Sequence, residues 1–155
     1  MQEILKWEKQ VPLPFKLMKR AVPSWVQCRL YDELASFKTL DQACAGKPCL
    51  VVLYMMKPTS KRRPVQGGHY SVVLRHGRVR YWSSYGFPVE FEIALSHSGN
   101  HLKRLLGDHA NDEVPYQAAA GTETCWRWCL LRTNLYKMSE TRFQRLFYRL
   151  DAAVK

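Results

Sequence analysis

The chain has 155 residues, 46% of them hydrophobic and 12% aromatic, which suits one globular domain whose core needs no disulfide bonds. Its 24 Lys and Arg residues outnumber its 13 acids and give a net charge of +11, which predicts affinity for polyanions. The longest apolar run, CLVVLYMM, is too short to span a bilayer, and five irregularly spaced cysteines do not fit a secreted disulfide scaffold.

The N-terminal half predicts an arm, short helices and one buried strand. Residues 1–24 are rich in proline and predict an extended arm, with a short helix at most, within a single domain of residues 1–155, and the charged N-terminus shows no signal peptide. QCRLYDELASF predicts a helical turn or two, and Thr39 with Gln42 predicts a capping box for a helix that Gly46 ends. PCLVVLYMM predicts a central strand.

A hairpin and three helices are predicted further along the chain. HYSVVLR and RVRYWSSYG are arms rich in Val, Tyr and Trp, joined by a two-residue turn at His76-Gly77. SHSGNHLKRLLG predicts a short helix ending near Gly107, before a polar turn, and VPYQAAAGTET predicts a strand stub and a loop. CWRWCLLRTNLYK and SETRFQRLFYRLDAAV predict two more helices, the second capped by Ser139. The order of these elements predicts an α+β fold.

Cys125 is the candidate nucleophile, because Gly-Thr-Glu-Thr precedes it and places it in the first turn of an apolar helix. Unpaired N–H groups at a helix N-terminus stabilise a thiolate and a developing oxyanion. The competing interpretation is a buried structural thiol. All five histidines precede Cys125, unlike in papain-type enzymes, and His69 at the head of the hairpin is the candidate base. Gln117, shortly before Cys125, could donate to an oxyanion.

Three segments in this order, GGHYSVVLRHG, YWSSYGFP and TCWRWCLLR, resemble those of the adenain-type viral cysteine proteases. These belong to the wider fold family of SUMO- and ubiquitin-like-protein proteases. LYDEL, TLDQA and CLVVLYMMKP are similar to their lead-in, so the resemblance covers roughly residues 26–137. It implies a central mixed β-sheet flanked by helices, with Cys125 as nucleophile and His69 as general base. Gln117 and the backbone N–H of Cys125 would form the oxyanion hole.

The resemblance also implies a biological setting. The activity would be that of a thiol endopeptidase that cleaves viral structural precursors during virion maturation, beside small residues such as glycine. We expect a monomer without membrane contact, in the virion or in the nucleus or cytoplasm of the host cell, in a reducing environment. No cofactor is required for such chemistry, although DNA is expected as a stimulating cofactor from the resemblance together with the charge. The substrate cleft is expected to be lined by Gly67, Gly68, Trp82 and Trp126.

Two positions depart from the family pattern. Ser83 stands where the family has an Asp, Glu or Asn that orients the histidine, and a hydroxyl brings no charge to stabilise an imidazolium. A two-residue hairpin turn would place Ser84 opposite His69 instead, so the carboxylate is missing unless Glu90 or Glu92 replaces it. Trp126 stands where the family has glycine, and there it either crowds the site or shapes a pocket.

These departures leave alternatives open. The chain is either an active Cys-His enzyme with a weak orienting residue or a degenerate relative that binds nucleic acid or a protein partner. A zinc site is a further alternative, because His97 and His101 are spaced four apart, as are Cys125 and Cys129, but compact C-x-x-C spacing is absent. We expect no metal. The residues expected to bind nucleic acid are Lys61, Arg62, Arg63, Arg75, Arg78 and Arg80.

Overall fold

A mixed five-stranded sheet forms the centre of the protein, and a computed structural model describes residues 14–55, 68–95, 99–112, 114–116 and 124–154. The strands lie in the order β1-β2-β3-β4-β5. The pairs β1–β2 and β4–β5 are parallel, whereas β2–β3 and β3–β4 are antiparallel. Their bounds are β1 Val26–Leu30, β2 Cys49–Met55, β3 Gly68–Leu74, β4 Arg80–Trp82 and β5 Ala110–Asp112. The predicted α+β class is confirmed.

Helices precede, interrupt and follow the strands. The capping box predicted for α2 is present, because the Thr39 hydroxyl accepts from the Gln42 N–H while the Gln42 side chain accepts from the Thr39 N–H. The Ser139 hydroxyl likewise accepts from the Arg142 N–H at the start of α6. The bounds are α1 Phe15–Ala21, a 3₁₀ helix Tyr31–Ser36, α2 Leu40–Cys44, α3 Val89–Leu95, α4 His101–Leu106, α5 Cys125–Asn134 and α6 Glu140–Val154.

Both faces of the sheet are buried, each against its own helices. Alternate residues of β2 belong to separate apolar clusters, with Val51 in one and Leu50 and Val52 in the other, because successive side chains of a strand point to opposite faces. The first cluster includes residues of α1, α5 and α6, and the second includes residues of the 3₁₀ helix, α2, α3 and α4. This double burial explains why β2 is apolar without alternation.

Four predictions for local structure were wrong. The start of QCRLYDELASF forms β1, whose alternating buried residues Val26 and Cys28 face the core, and the helical part is the following 3₁₀ helix. The hairpin turn is longer than two residues, because Leu74 and Arg80 form the last pair before it. At the other end, the ladder between β3 and β4 stops at the pair Val72–Trp82, so Ser84 does not pair with His69. The polar segment after α4 contains β5, and residues 114–116 form no strand.

Candidate active site

His69 lies near the start of β3 and pairs with Tyr54 of β2. Its side chain is only 13% exposed. The glycine before it has a packing role, because a Cβ at Gly68 would lie 2.4 Å from Leu53 Cδ1 and 2.7 Å from the Tyr54 carbonyl oxygen. Gly68 therefore allows the two strands to approach closely at the point where the histidine is presented.

Glu92 of α3 supplies a carboxylate to this histidine. Its Oε1 lies 3.0 Å from His69 Nε2, and its side chain is 3% exposed. A carboxylate accepts but does not donate, so Nε2 carries the proton of this hydrogen bond. The Ser83 hydroxyl lies 3.2 Å from the same nitrogen and accepts the Tyr85 N–H. Helix α3 therefore supplies, through Glu92, the negative charge that Ser83 lacks.

A buried pair of tyrosines holds the other oxygen of Glu92. The Tyr81 hydroxyl donates to Glu92 Oε2 at 2.7 Å and lies 2.8 Å from the Tyr54 hydroxyl. Tyr81 has a single hydroxyl proton, so Tyr54 is the donor between the two phenols. Burial, reinforced by the Glu92 charge, raises the pKa of both phenols well above the ordinary value, which keeps them protonated as donors.

Cys125 is the first residue of α5, and its side chain is buried beside His69. The ring nitrogen Nδ1 of His69 is buried and has no hydrogen-bond partner of normal geometry among the described residues. Burial by itself lowers the pKa of this histidine, but the Glu92 carboxylate and the Cys125 thiol outweigh that effect and raise it to about 10. Its surroundings therefore favour the protonated ring, which lies between a carboxylate and a sulfur.

The other four cysteines are buried free thiols of a different kind. Burial raises the pKa of Cys28 and Cys44 to about 11 and that of Cys49 to about 12, and it raises the pKa of Cys129 well above the ordinary value. These thiols stay protonated and unreactive at neutral pH. Cys129 lies in the core one turn after Cys125.

The two tryptophans expected to line a cleft occupy different environments. Trp82 is fully buried, with its ring against those of Tyr116 and Phe143, so in this structure it belongs to the core. Trp126 is half-buried, and the Arg127 guanidinium lies 4.9 Å from its ring centroid. Of the other residues expected at the cleft and oxyanion hole, Gly67 and Gln117 lie outside the described residues.

The basic residues expected to bind nucleic acid are also split. Lys61, Arg62 and Arg63 lie outside the described residues. Arg75 has a structural role, because its guanidinium donates to the Lys47 carbonyl and pairs with Asp41 at 2.9 Å. Arg78 and Arg80 lie together on the wall of a cavity beside the hairpin.

Neither a metal cluster nor a membrane helix is present in the part of the chain that the structure describes. No three His, Cys, Asp or Glu side chains there are grouped as metal ligands would be, and His97 of the zinc alternative falls outside it. Within the same described ranges, none of the helices combines the length and apolar character needed to cross a bilayer.

The sequence predicted the cysteine and the histidine of this arrangement but only part of what surrounds them. Glu92 was one of two candidates for the missing acid, and helix α3, which carries it, was not predicted although Pro88 followed by acidic residues is typical of a helix start. Tyr54 and Tyr81 were missed. Their signal was a phenol on each of two predicted buried strands, since a buried hydroxyl needs a partner.

The arrangement can support thiol chemistry from its own residues: a sulfur at a helix N-terminus, a histidine beside it and a buried acid behind the histidine. No protein-family model, no curated protein and no solved structure matches the chain.

Proposed function

We propose that the protein is a cysteine endopeptidase of the adenain type, with Cys125 as nucleophile and His69 as general acid and base. The observation that carries the proposal is the convergence of three elements on one histidine: α5 brings Cys125, β3 brings His69, and α3 brings Glu92. A structural thiol needs no such partner, whereas a nucleophilic thiol needs a neighbouring base and benefits from a group that orients it.

The two ring nitrogens of His69 have separate tasks in this proposal. Nε2–H is anchored on Glu92, which fixes the ring and favours its protonated form. Nδ1, buried and without a partner among the described residues, is the nitrogen that exchanges a proton with the Cys125 thiol. Tyr81 holds the second oxygen of Glu92 and so prevents the carboxylate from turning away. Ser83 adds a polar neighbour to Nε2 but no charge.

The reaction would proceed through an acyl-enzyme. The Cys125 thiolate attacks the peptide carbonyl carbon, and the C–S bond forms as the carbonyl electrons move to oxygen. The backbone N–H groups at the start of α5 stabilise that oxyanion, with Gln117 as the proposed second donor. His69 Nδ1–H then protonates the amine as the C–N bond breaks. A water molecule gives a proton to His69 and attacks the thioester, which releases the acid and restores the thiolate.

We propose an adenain-like fold and viral structural precursors as substrates, cleaved beside small residues, with DNA as a stimulating partner of this strongly basic chain. The alternative is a degenerate relative that binds nucleic acid or a protein partner without catalysis. A buried carboxylate is costly unless it is paired, and here its partner is the histidine of the proposed dyad. That pairing favours the enzyme.

A peptide library tests this proposal. The full chain is incubated with peptides of mixed sequence, some with Gly-rich segments, and new termini are mapped by mass spectrometry. We expect cleavage that Cys125→Ala and His69→Ala abolish. Cys44→Ala, which removes a buried thiol on the other face of the sheet, is the matched control and retains cleavage. Cleavage that survives Cys125→Ala, or no cleavage of any peptide with or without added DNA, rejects the endopeptidase.

A further inference from the structure

A cavity of about 280 Å³ lies beside the β3–β4 turn, against the segment that joins α5 to α6. Among the described residues that line it there is no acid. Its walls carry cationic or polar side chains from both segments: Arg78, Arg80 and His76 from the hairpin, and Arg132, Lys137 and Ser139 from the other side. The active site proposed above does not use any of these residues.

The positive charges of Arg78 and Arg80 are only partly compensated by the acids paired with them. Asp112 lies 3.3 Å from Arg80, but burial and the neighbouring Glu140 raise the pKa of Asp112 well above its ordinary value, which makes it a weaker counterion than an ordinary aspartate. Asp108 lies 3.3 Å from Arg78, but its side chain is 94% exposed, and such pairs interact weakly in water. Both guanidinium groups therefore remain available to an anion.

Arg132 adds a buried charge to the same cavity. Its side chain is 1% exposed, and its two terminal nitrogens donate to the Leu135 and Met138 carbonyls. Its Nε is buried and has no acceptor among the described residues, and the Glu140 carboxylate is 3.6 Å from Nη2. Burial lowers the pKa of this guanidinium in spite of that carboxylate. A bound anion would offset the cost of keeping the charge away from water.

We propose that this cavity binds a phosphate group, either as inorganic phosphate or as part of a small phosphomonoester such as 5′-AMP. Arginine side chains present planar donor pairs that match phosphate oxygens, and lysine adds a point charge. Ser139 stands at the N-terminus of α6, where backbone N–H groups and the helix dipole also favour an anion.

The organic part of a phosphomonoester would lie in a second cavity that adjoins the first. This second cavity of about 470 Å³ shares Tyr136, Lys137 and Met138 with the first. Its lining includes Trp25, whose ring centroid is 6.2 Å from that of Tyr136. These two aromatic rings offer a surface on which a planar base packs.

Titration calorimetry on the full chain at low ionic strength tests the site, with inorganic phosphate and 5′-AMP as separate ligands. We expect saturable binding at one site, weakened about tenfold by Arg78→Gln and by Lys137→Gln, as the loss of one charge-assisted hydrogen bond predicts. The matched control is Arg145→Gln, which removes the same charge from an exposed position of α6 outside both cavities and leaves the affinity within about twofold. Tighter binding of 5′-AMP identifies a phosphomonoester as ligand, and equal affinity identifies phosphate itself.

Two results overturn the proposal. The first is the absence of saturable binding for both ligands by a folded chain. The second is equal weakening by Arg145→Gln and Arg78→Gln, which indicates diffuse attraction to the net charge. Since none of these readouts involves Cys125, the test is independent of the peptidase assay.

Discussion

At the scale of single residues, the position of Glu92 decides what His69 can do. A histidine with only serines near it would depend on its own basicity, whereas this one has a buried carboxylate at 3.0 Å. The sequence order of Cys125 and His69 predicted that these two residues act together. It could not identify the acid, because a contact between a strand and a later helix depends on how α3 packs rather than on spacing along the chain.

Glu92→Gln should weaken the chemistry of Cys125 while preserving the shape of the site. The amide still accepts a hydrogen bond but brings no charge, so the pKa of His69 falls from its raised value toward the ordinary range. We expect alkylation of Cys125 at about pH 6 to slow by about tenfold or more. The control is Glu90→Gln, which removes the exposed partner of Lys103 on the same helix. If both variants react at the wild-type rate, Glu92 does not support the histidine.

Tyr81 and Tyr54 are expected to contribute unequally to the free energy of unfolding. Tyr81→Phe removes a buried hydrogen bond to a charged acceptor, Glu92 Oε2, which should cost about 1–3 kcal/mol of unfolding free energy. Tyr54→Phe removes only the outer hydrogen bond and should cost about 1 kcal/mol or less. Denaturant unfolding of the two variants measures the difference. Equal losses would mean that Tyr81 contributes packing alone.

At the scale of elements, the long patterned segments were predictable and the short ones were not. β2 and α6 carry strong apolar patterns, and the caps of α2 and α6 occur at the predicted residues Thr39 and Ser139. β5 has three residues and a polar sequence, so nothing local identifies it as a strand. It forms because β4 offers an edge, with Trp82 pairing with Asp112. The predicted hairpin register was wrong because the length of the turn depends on the conformation of the loop, which includes Gly77 with φ +76°.

The contact between Asp112 of β5 and Glu140 of α6 should make the free energy of unfolding depend on pH. Because burial and Glu140 raise the pKa of Asp112 above its ordinary value in the folded state, its contribution to stability is complete below the ordinary pKa of about 4 and is lost as pH rises through the raised pKa. Asp112→Asn removes this titration. Thermal unfolding from about pH 5 to about pH 9 should therefore show a smaller loss of stability with pH for Asp112→Asn than for the wild type. Parallel curves would mean that Asp112 is ionised throughout.

At the scale of the whole molecule, the proposed site joins the two faces of the sheet. Cys125 belongs to the apolar cluster that contains α5 and α6, whereas Tyr54 and Tyr81 belong to the cluster on the other face. His69 and Glu92 connect them. The site therefore requires both layers to be folded at once, which no single segment of the sequence could have indicated.

This dependence predicts cooperative loss of reactivity. As denaturant is added, fast alkylation of Cys125 should disappear in the same transition as the tryptophan fluorescence of the core, because a small domain unfolds in one step. Trp82, fully buried on the α5 face, reports that transition. Loss of Cys125 reactivity at clearly lower denaturant would instead show that one face opens independently and that the site is only loosely attached to it.

The most direct test of the central claim is the alkylation rate of each cysteine in the native chain from about pH 5 to about pH 9, a range that brackets thiolate formation. Site mapping by mass spectrometry separates Cys125 from the four other thiols. The account predicts fast labelling confined to Cys125, persisting below neutral pH and lost in His69→Ala. Labelling of Cys125 no faster than that of Cys28 or Cys44 would contradict it and leave Cys125 as a structural thiol.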